Sequence, residues 1–464
     1  MRDPLDVIII GAGTAGLSAL REVKKRTQHF VVINDGPWGT MCARVGCMPS
    51  KALIAVANAF HTRHAFQEFG ISGGNDLSID VPAVLRRVRA LRDDFVAGNL
   101  DATVGLGERA ISGRARLLGM DRVSVNGKEL RARRIIIATG STPALPKSWL
   151  PLGERLLTTD TLFEQQTLPN RIAVVGQGAL GVGLAQALCR LGLDVVAIGD
   201  SQSVAGLTDP LVNAVAIEVL RREFPVHVGD KAELSSEGAG VRVRAGRLNT
   251  VVDRVLVALG RRPNIEGLGL DALGVALDSD GVPKVDARTM QVGGLPIFLV
   301  GDANGETAVL HEASDDGHIA GLNATAESFE CFQRRTPLAI VFSEPNVAMV
   351  GKRFTELDAS QVLIGEVRFE DQGRARIAHR NIGILRVYAD RHIGLLLGAE
   401  LCAPAGEHLA LLMALAIERA LTVSDLLRMP FYHPVFEEGL RTALRQLSAQ
   451  LPASKDSDLA RCTK

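Results

Sequence analysis

The sequence predicts an α/β protein: two parallel-sheet units built from βαβ repeats, followed by an α+β unit. Three observations carry this. A β-branched run, Asp6 to Ile10, enters the loop Gly11-Ala-Gly13-Thr-Ala-Gly16. A second run, Arg171 to Val175, enters Gly176-Gln-Gly178-Ala-Leu-Gly181. From Thr336 the texture changes to strands and helices without the βαβ alternation. The chain has 464 residues, room for about three domains of ordinary size.

In the first unit, Leu17 to Lys25 reads as a helix and Phe30 to Ile33 as the next strand, with the glycines at the first turn. Gly11 permits the tight turn, Gly13 lets backbone approach a pyrophosphate, and Gly16 allows close helix–strand packing; Thr14 and Ala15 complete the loop. The helix N-terminus faces the phosphate charge. Two helical segments are expected between Ala55 and Gly105, Val81 to Ala97 being the better. The apolar strand from Arg134 then ends in the small-residue turn Ala138-Thr139-Gly140. The second unit repeats the scheme: a helix to about Leu191, a strand Asp194 to Ile198, and a strand from Arg254 that ends at Gly260. Two such fingerprints imply two dinucleotide sites. A third strand-turn, Ile297 to Gly301-Asp302, leads into Val309-Leu310-His311 and a helix. Asp302 could accept hydrogen bonds from a polyol; taken alone, a solvated turn aspartate is the simpler reading. In the last unit, Leu338–Phe342, Asn346–Val350, Ile384–Tyr388 and Ile393–Ala399 read as antiparallel strands. Helices are expected at about 405–418, 423–428 and 437–447.

Lys+Arg and Asp+Glu both total 52, so the net charge is zero. That gives no electrostatic case for nucleic acid or an anionic membrane. Lys24-Lys25-Arg26 and the run Arg131 to Arg134 read as solvated faces. No secretory h-region and no membrane-length apolar run is evident, and a cytoplasmic protein is expected. Of the six cysteines, Cys189, Cys331 and Cys402 are scattered and read as structural, and Cys462 falls in a polar tail. Cys42 and Cys47 stand close together, just after the first nucleotide loop. Such a pair can open and close a disulfide locally, or serve as two small buried apolar residues. No metal is expected, since ligation needs clustered Cys and His. Near the C-terminus, His433 precedes Pro434, and Glu438 could hold one ring nitrogen while the other exchanges protons. A surface His capping a helix is the competing reading.

Together these residues resemble the FAD-dependent pyridine nucleotide–disulfide oxidoreductases, within which the dihydrolipoamide dehydrogenase type fits best. The matching pieces are Gly11 to Gly16, Cys42 to Lys51, Ala138-Thr139-Gly140, Gly176 to Gly181, Gly260-Arg261-Arg262-Pro263-Asn264, Gly301-Asp302, Phe342-Ser-Glu-Pro345 with Val350-Gly351, and His433-Pro434 with Glu438. They run in the family order along nearly the whole chain. The resemblance implies two Rossmann-like domains and a C-terminal α+β dimerisation domain. Residues 1–146 and 269–335 would form the FAD domain, 147–268 the NAD domain and 336–464 the dimerisation domain. Cys42 would exchange with a lipoyl dithiol or another disulfide, Cys47 would face the flavin as thiolate, and Lys51 would sit near the flavin. His433, oriented by Glu438 and supplied by the second subunit of a homodimer, would be the base. FAD would be held by the first loop, Asn34, Asp35, Lys51, the Thr139 turn, Gly301, Asp302 and the segment Val309 to His311. NAD would be held by Gly176, Gly178, Gly181, Asp200 and Gly260.

Three positions depart from the family pattern. Asn34, followed by Asp35, stands where a ribose-binding Glu is usual, and Asn34 can still hydrogen-bond a hydroxyl. Gly199, followed by Asp200, stands at the corresponding acidic position of the second unit. No Arg follows there to grip a 2′-phosphate, which favours NAD and leaves NADP open. Gly183 replaces the Glu that would pair with Lys51, so a gap beside the nicotinamide site is expected. A redox-sensing flavoprotein with little NAD turnover is the reading from another class.

Overall fold

A computed structural model describes residues 3–452 and 459. Cys462 lies outside the described residues. The first unit is a seven-stranded sheet. Its parallel core runs Ala110–Ser112, Phe30–Asn34, Leu5–Ile10, Lys128–Ile137 and Ile297–Leu299. Ile8 is in register with both Val31 and Ile135, and Ile135 with Ile297. The strands are near-continuous runs of Val and Ile because both faces are covered, and Val7, Ile8, Ile9, Ile135, Ile136 and Ile137 are fully buried. The chain leaves this sheet, builds the second unit, and returns through Ile297–Leu299.

The second unit has five parallel strands in the order Val226–Val228, Asp194–Gly199, Arg171–Val175, Arg254–Val257, Leu156–Leu157. The antiparallel meander Glu233–Glu237, Gly240–Ala245, Leu248–Val252 was not anticipated; its first strand is mostly exposed and lacks apolar alternation. The third unit is a five-stranded antiparallel sheet in the order Leu338–Val341, Asn346–Gly351, Leu396–Ala403, Ile384–Asp390, Val362–Arg368. Helices Gly406–Glu418, Val423–Leu427 and Glu438–Gln450 follow. The strand expected at Ile393 starts later, at Leu396, because Arg391 to Gly394 form a turn with Gly394 at φ +67°. Val362–Arg368 was also missed.

Cys402 is buried and Cys189 half-buried, as structural cysteines would be. Cys331 is exposed, which corrects the expectation that it is structural. It falls between the helix Leu310–Ala324 and the strand Leu338–Val341, in a segment without regular structure. No described helix is long and apolar enough to cross a membrane.

Candidate active site

The first loop joins the strand Leu5–Ile10 to the helix Thr14–Val23, which includes Ala15 and Gly16. Gly11 has φ +107°, and a Cβ there would fall 2.2 Å from the Ala138 carbonyl oxygen. A Cβ on Gly16 would fall 2.0 Å from the Gly11 carbonyl, whereas one on Gly13 would meet nothing within 4 Å. The loop is thus packed tightly on the protein side and open where a phosphate would lie. Beside it a cleft of about 360 Å³ is lined by Gly11, Asn34, Asp35, Arg114, Thr139 and Asn264, among others. The Thr139 hydroxyl is buried without a partner among the described residues. A cradle with an open phosphate edge and an unsatisfied buried hydroxyl fits FAD.

Asn34 holds protein rather than open space. Its Oδ1 accepts from the Ala12 N–H at 3.1 Å, and its Nδ2 donates to Gly36 O and Pro37 O. Only one acceptor lone pair is left for a hydroxyl; Asp35, exposed at the same cleft, keeps its carboxylate uncommitted. Arg114 and Glu266 also line this cleft. Sequence reasoning missed both, since neither belongs to a motif.

The three small-residue turns meet at one sheet edge. Asp302 accepts a hydrogen bond from Ser141 Oγ at 2.5 Å, next to Gly140, and Arg261, next to Gly260, donates to Ser141 Oγ and O at 2.8 Å each. Asp302 is therefore tied into the protein on one oxygen. Gly301 donates its N–H to the buried Asp316 at 3.0 Å, a contact the sequence did not announce. Val309 is the N-cap of the helix Leu310–Ala324, so Leu310 and His311 stand in its first turn.

The second fingerprint repeats the first. Gly176 has φ +106° and abuts Ala258 O, Gly181 abuts Gly176 O, and Gly178 is open. Asp200 is exposed at the end of the strand Asp194–Gly199. Gly199 is small because Gln177 packs on it: a Cβ there would meet Gln177 Cγ at 3.0 Å. The Gln177 Oε1 is buried and unpartnered among the described residues, so this turn also keeps a polar atom for a ligand. The arrangement fits a nicotinamide dinucleotide.

Between the two nucleotide loops lies the cysteine pair. Cys42 is in the short helix Met41–Arg44, capped by Thr40, and Cys47 is the first residue of the helix Cys47–His61. The hydrogen bond from Cys42, together with Lys51, lowers the Cys47 thiol to about 7 against the opposing effect of burial. The same hydrogen bond, with burial, raises the Cys42 thiol. The reduced pair therefore holds its proton on Cys42 and its negative charge on Cys47, at a helix N-terminus.

Lys51 sits one turn further on, its Nζ 4.2 Å from the centroid of the Phe342 ring. Burial lowers its pKa, while both cysteine sulfurs act to raise it. A Cβ at Gly183 would lie 3.3 Å from Phe342 O and 3.6 Å from Ile54 Cδ1, and Phe342 and Ile54 line a cleft of about 470 Å³ together with Lys51. In place of a carboxylate, Lys51 has an aromatic face.

His433 Nδ1 lies 3.1 Å from both Glu438 carboxylate oxygens, and this hydrogen bond lowers the Glu438 pKa despite burial. Glu438 also accepts the Val435 N–H at 3.3 Å. The His433 side chain is 80% exposed. It does not line the cleft that contains Cys42, so one chain alone does not bring this pair to the cysteines. No group of three or more potential metal ligands exists among the described residues.

Comparisons with known proteins agree with this geometry. Residues 5–317 match the pyridine nucleotide-disulphide oxidoreductase family, and residues 338–444 match its dimerisation domain, which supports a homodimer. The chain is 32% identical to a dihydrolipoyl dehydrogenase of Thermus scotoductus over 96% of its length and 98% of the relative's. It is 28% identical to an NAD(P)H dehydrogenase (quinone) of Mycobacterium tuberculosis, covering 96% and 94%. The solved structure of LpdA from Mycobacterium tuberculosis superposes with a TM-score of 0.84 at 25% identity, covering 95% and 99%. The chain belongs to the pyridine nucleotide-disulphide oxidoreductases, whose cofactors are FAD and NAD(P).

Proposed function

We propose that this flavoprotein oxidises dihydrolipoamide with NAD, through a redox disulfide formed by Cys42 and Cys47. The observation that carries the proposal is the placement of Cys47 at the N-terminus of the helix Cys47–His61 with Lys51 one turn on, which favours charge on that sulfur over Cys42. A low-pKa thiol is the better leaving group in disulfide exchange, so an attacking dithiol is directed to Cys42.

A substrate thiolate attacks Cys42 Sγ. The Cys42–Cys47 bond breaks and Cys47 leaves as thiolate, stabilised by the Lys51 ammonium and the helix N-terminus. His433 of a second copy takes the proton of the remaining substrate thiol, held in position by Glu438. That second thiolate attacks the substrate sulfur bonded to Cys42, closes the substrate disulfide and releases the Cys42 sulfur, which takes its proton from His433. The dithiol has lost two electrons and two protons; one proton left with solvent when the attacking thiolate formed, the other rests on Cys42, and the electron pair is on the cysteines. FAD held at the Gly11 to Gly16 loop and the Thr139 turn would supply a two-electron carrier beside Cys47, and NAD held at the Gly176 to Gly181 loop would supply a hydride acceptor.

In the test, purified holoenzyme is given dihydrolipoamide and NAD, and NADH is followed by absorbance. Cys42→Ser should lower kcat by at least about a thousandfold, and His433→Gln by about a hundredfold or more with flavin content unchanged. Full turnover by Cys42→Ser would refute the proposal. A second reading, NAD(P)H-driven reduction of another acceptor, is favoured by Gly183 and by the quinone-reducing relative. Its signature is quinone reduction that survives Cys42→Ser.

A further inference from the structure

Residues 329–337 lead from the first unit into the C-terminal sheet without regular structure. The segment runs back along the helix Leu310–Ala324, against its direction. Near the helix end, Asn323 donates to Glu330 O at 3.0 Å and accepts the Glu330 N–H at 2.8 Å. Toward the helix start, Arg334 reaches Asp316 at 2.6 Å and also pairs with Glu312. Beyond it, Thr336 gives its N–H and its hydroxyl to Glu418 at 2.7 and 2.6 Å, and Gly351 donates to Pro337 O at 2.9 Å. Glu418 and Gly351 belong to the C-terminal unit. The segment is therefore a strap pinned at both ends, with Arg334 between the pins.

Asp316 carries the strap's grip inward. It is 4% exposed, and Arg334 is the one cation within ion-pair distance of it among the described residues. Its other oxygen accepts the Gly301 N–H and the Asn304 side-chain amide, both at 3.0 Å. Those two residues bound the short turn Gly301–Asn304, which contains Asp302. The turn has little slack: a Cβ on Gly301 would fall 3.0 Å from Ala15 Cβ, in the first nucleotide loop. A buried carboxylate that loses its cation is left uncompensated, so the hold of Asp316 on this turn depends on Arg334. We propose that the strap couples the seating of the C-terminal unit to the retention of FAD. Arg334 is the positioning residue: through Asp316 it sets the Gly301–Asp302 turn against the flavin polyol. The coupling goes beyond the dithiol reading, since it holds whichever dithiol or acceptor the enzyme uses.

Flavin release from diluted holoenzyme is followed by the fluorescence gained, with no substrate present. Arg334→Met should speed release about tenfold, the scale of one charge-assisted hydrogen bond, and Arg334→Lys should restore part of the hold. Glu418→Ala, which unpins the strap, should speed release about twofold, the scale of an exposed contact, and add nothing to Arg334→Met. Asp302→Asn should speed release on its own and leave less than about twofold for Arg334→Met to add. Arg335→Met, which removes a side chain 75% exposed beside Asp315, should leave release unchanged. Equal acceleration by Arg334→Met in the wild type and in Asp302→Asn would mean a general loosening of the fold and would overturn the proposal. Unchanged release in Arg334→Met or in Glu418→Ala would overturn it too. If Asp302→Asn alone leaves release unchanged, the turn does not grip flavin and the proposal falls. Should Arg334→Met yield no holoenzyme, Arg334→Lys and Glu418→Ala decide by the same comparisons.

Discussion

Lys51 forms no ion pair with a carboxylate among the described residues, and its charge adds to the hydrogen bond from Cys42 in lowering the Cys47 thiol. A lysine paired with Glu shares its charge with that acid. Here the ammonium rests on the Phe342 ring, which is a weaker competitor than a carboxylate, so more of its field acts on the sulfur. Cys47 is lowered to about 7, so in the reduced protein its thiolate fraction rises as pH climbs through that value. Below it the sulfur is protonated and becomes a poor nucleophile. The alkylation rate of Cys47 by iodoacetamide, followed by mass spectrometry of the reduced protein, should therefore titrate with a midpoint near 7. Lys51→Met should move the midpoint up by about one unit or more, the scale of an opposite charge removed from a short distance. An unmoved midpoint would show that the hydrogen bond from Cys42 sets the value alone.

At the scale of elements, the helices Thr14–Val23 and Leu310–Ala324 are pressed together over small residues. A Cβ on Gly317 would fall 2.0 Å from Ala15 O, and one on Gly321 would fall 2.7 Å from Ala19 O. Both obstacles are backbone, so a side chain can enter only by parting the helices, and Ala15 lies in the first nucleotide loop. Gly317→Val should cost about 1–3 kcal/mol or more and reduce bound flavin per chain. Gly373→Ala, where a Cβ would meet nothing within 4 Å, should leave both unchanged. Tm and the ratio of flavin to protein absorbance read the two effects. The elements that were legible in the sequence share a cause: strand, glycine turn and helix are fixed by local backbone demands, as at Gly11 and Gly176. The cysteine pair and His433 with Glu438 were legible because their spacing is local too. Phe342 over Lys51 was not, nor was Arg114 at the FAD cleft. Those contacts join segments far apart in the chain, and no spacing rule announces them.

At the scale of the molecule, the second unit is fastened to the C-terminal sheet by two fully buried acids. Asp209 caps the helix Pro210–Arg221 through the Leu211 N–H at 2.9 Å and accepts from Arg386 at 2.7 Å and Tyr388 OH at 2.9 Å. Glu400, in the strand Leu396–Ala403, accepts the N–H groups of Thr208 at 2.8 Å, Asp209 at 2.9 Å and Phe354 at 3.1 Å. Both side chains are 0% exposed. Burial and the Asp209 carboxylate raise the Tyr388 pKa, so the phenol stays a donor. On the other side of the unit, Arg190 holds Glu223 at 2.7 Å and reaches Asn58 on the cysteine helix at 2.7 Å and the Glu344 carbonyl at 3.2 Å. These contacts tie the second unit to the cysteine helix and to the C-terminal sheet. Removing one acid strands its donors without water. Asp209→Ala should cost about 3–5 kcal/mol, the cost of leaving a buried charge unpaired, and should lower Tm. The double variant Asp209→Ala with Arg386→Met should recover part of that loss, because the orphaned guanidinium goes with its partner. Two single variants whose losses simply add would mean that Asp209 acts through the helix cap alone.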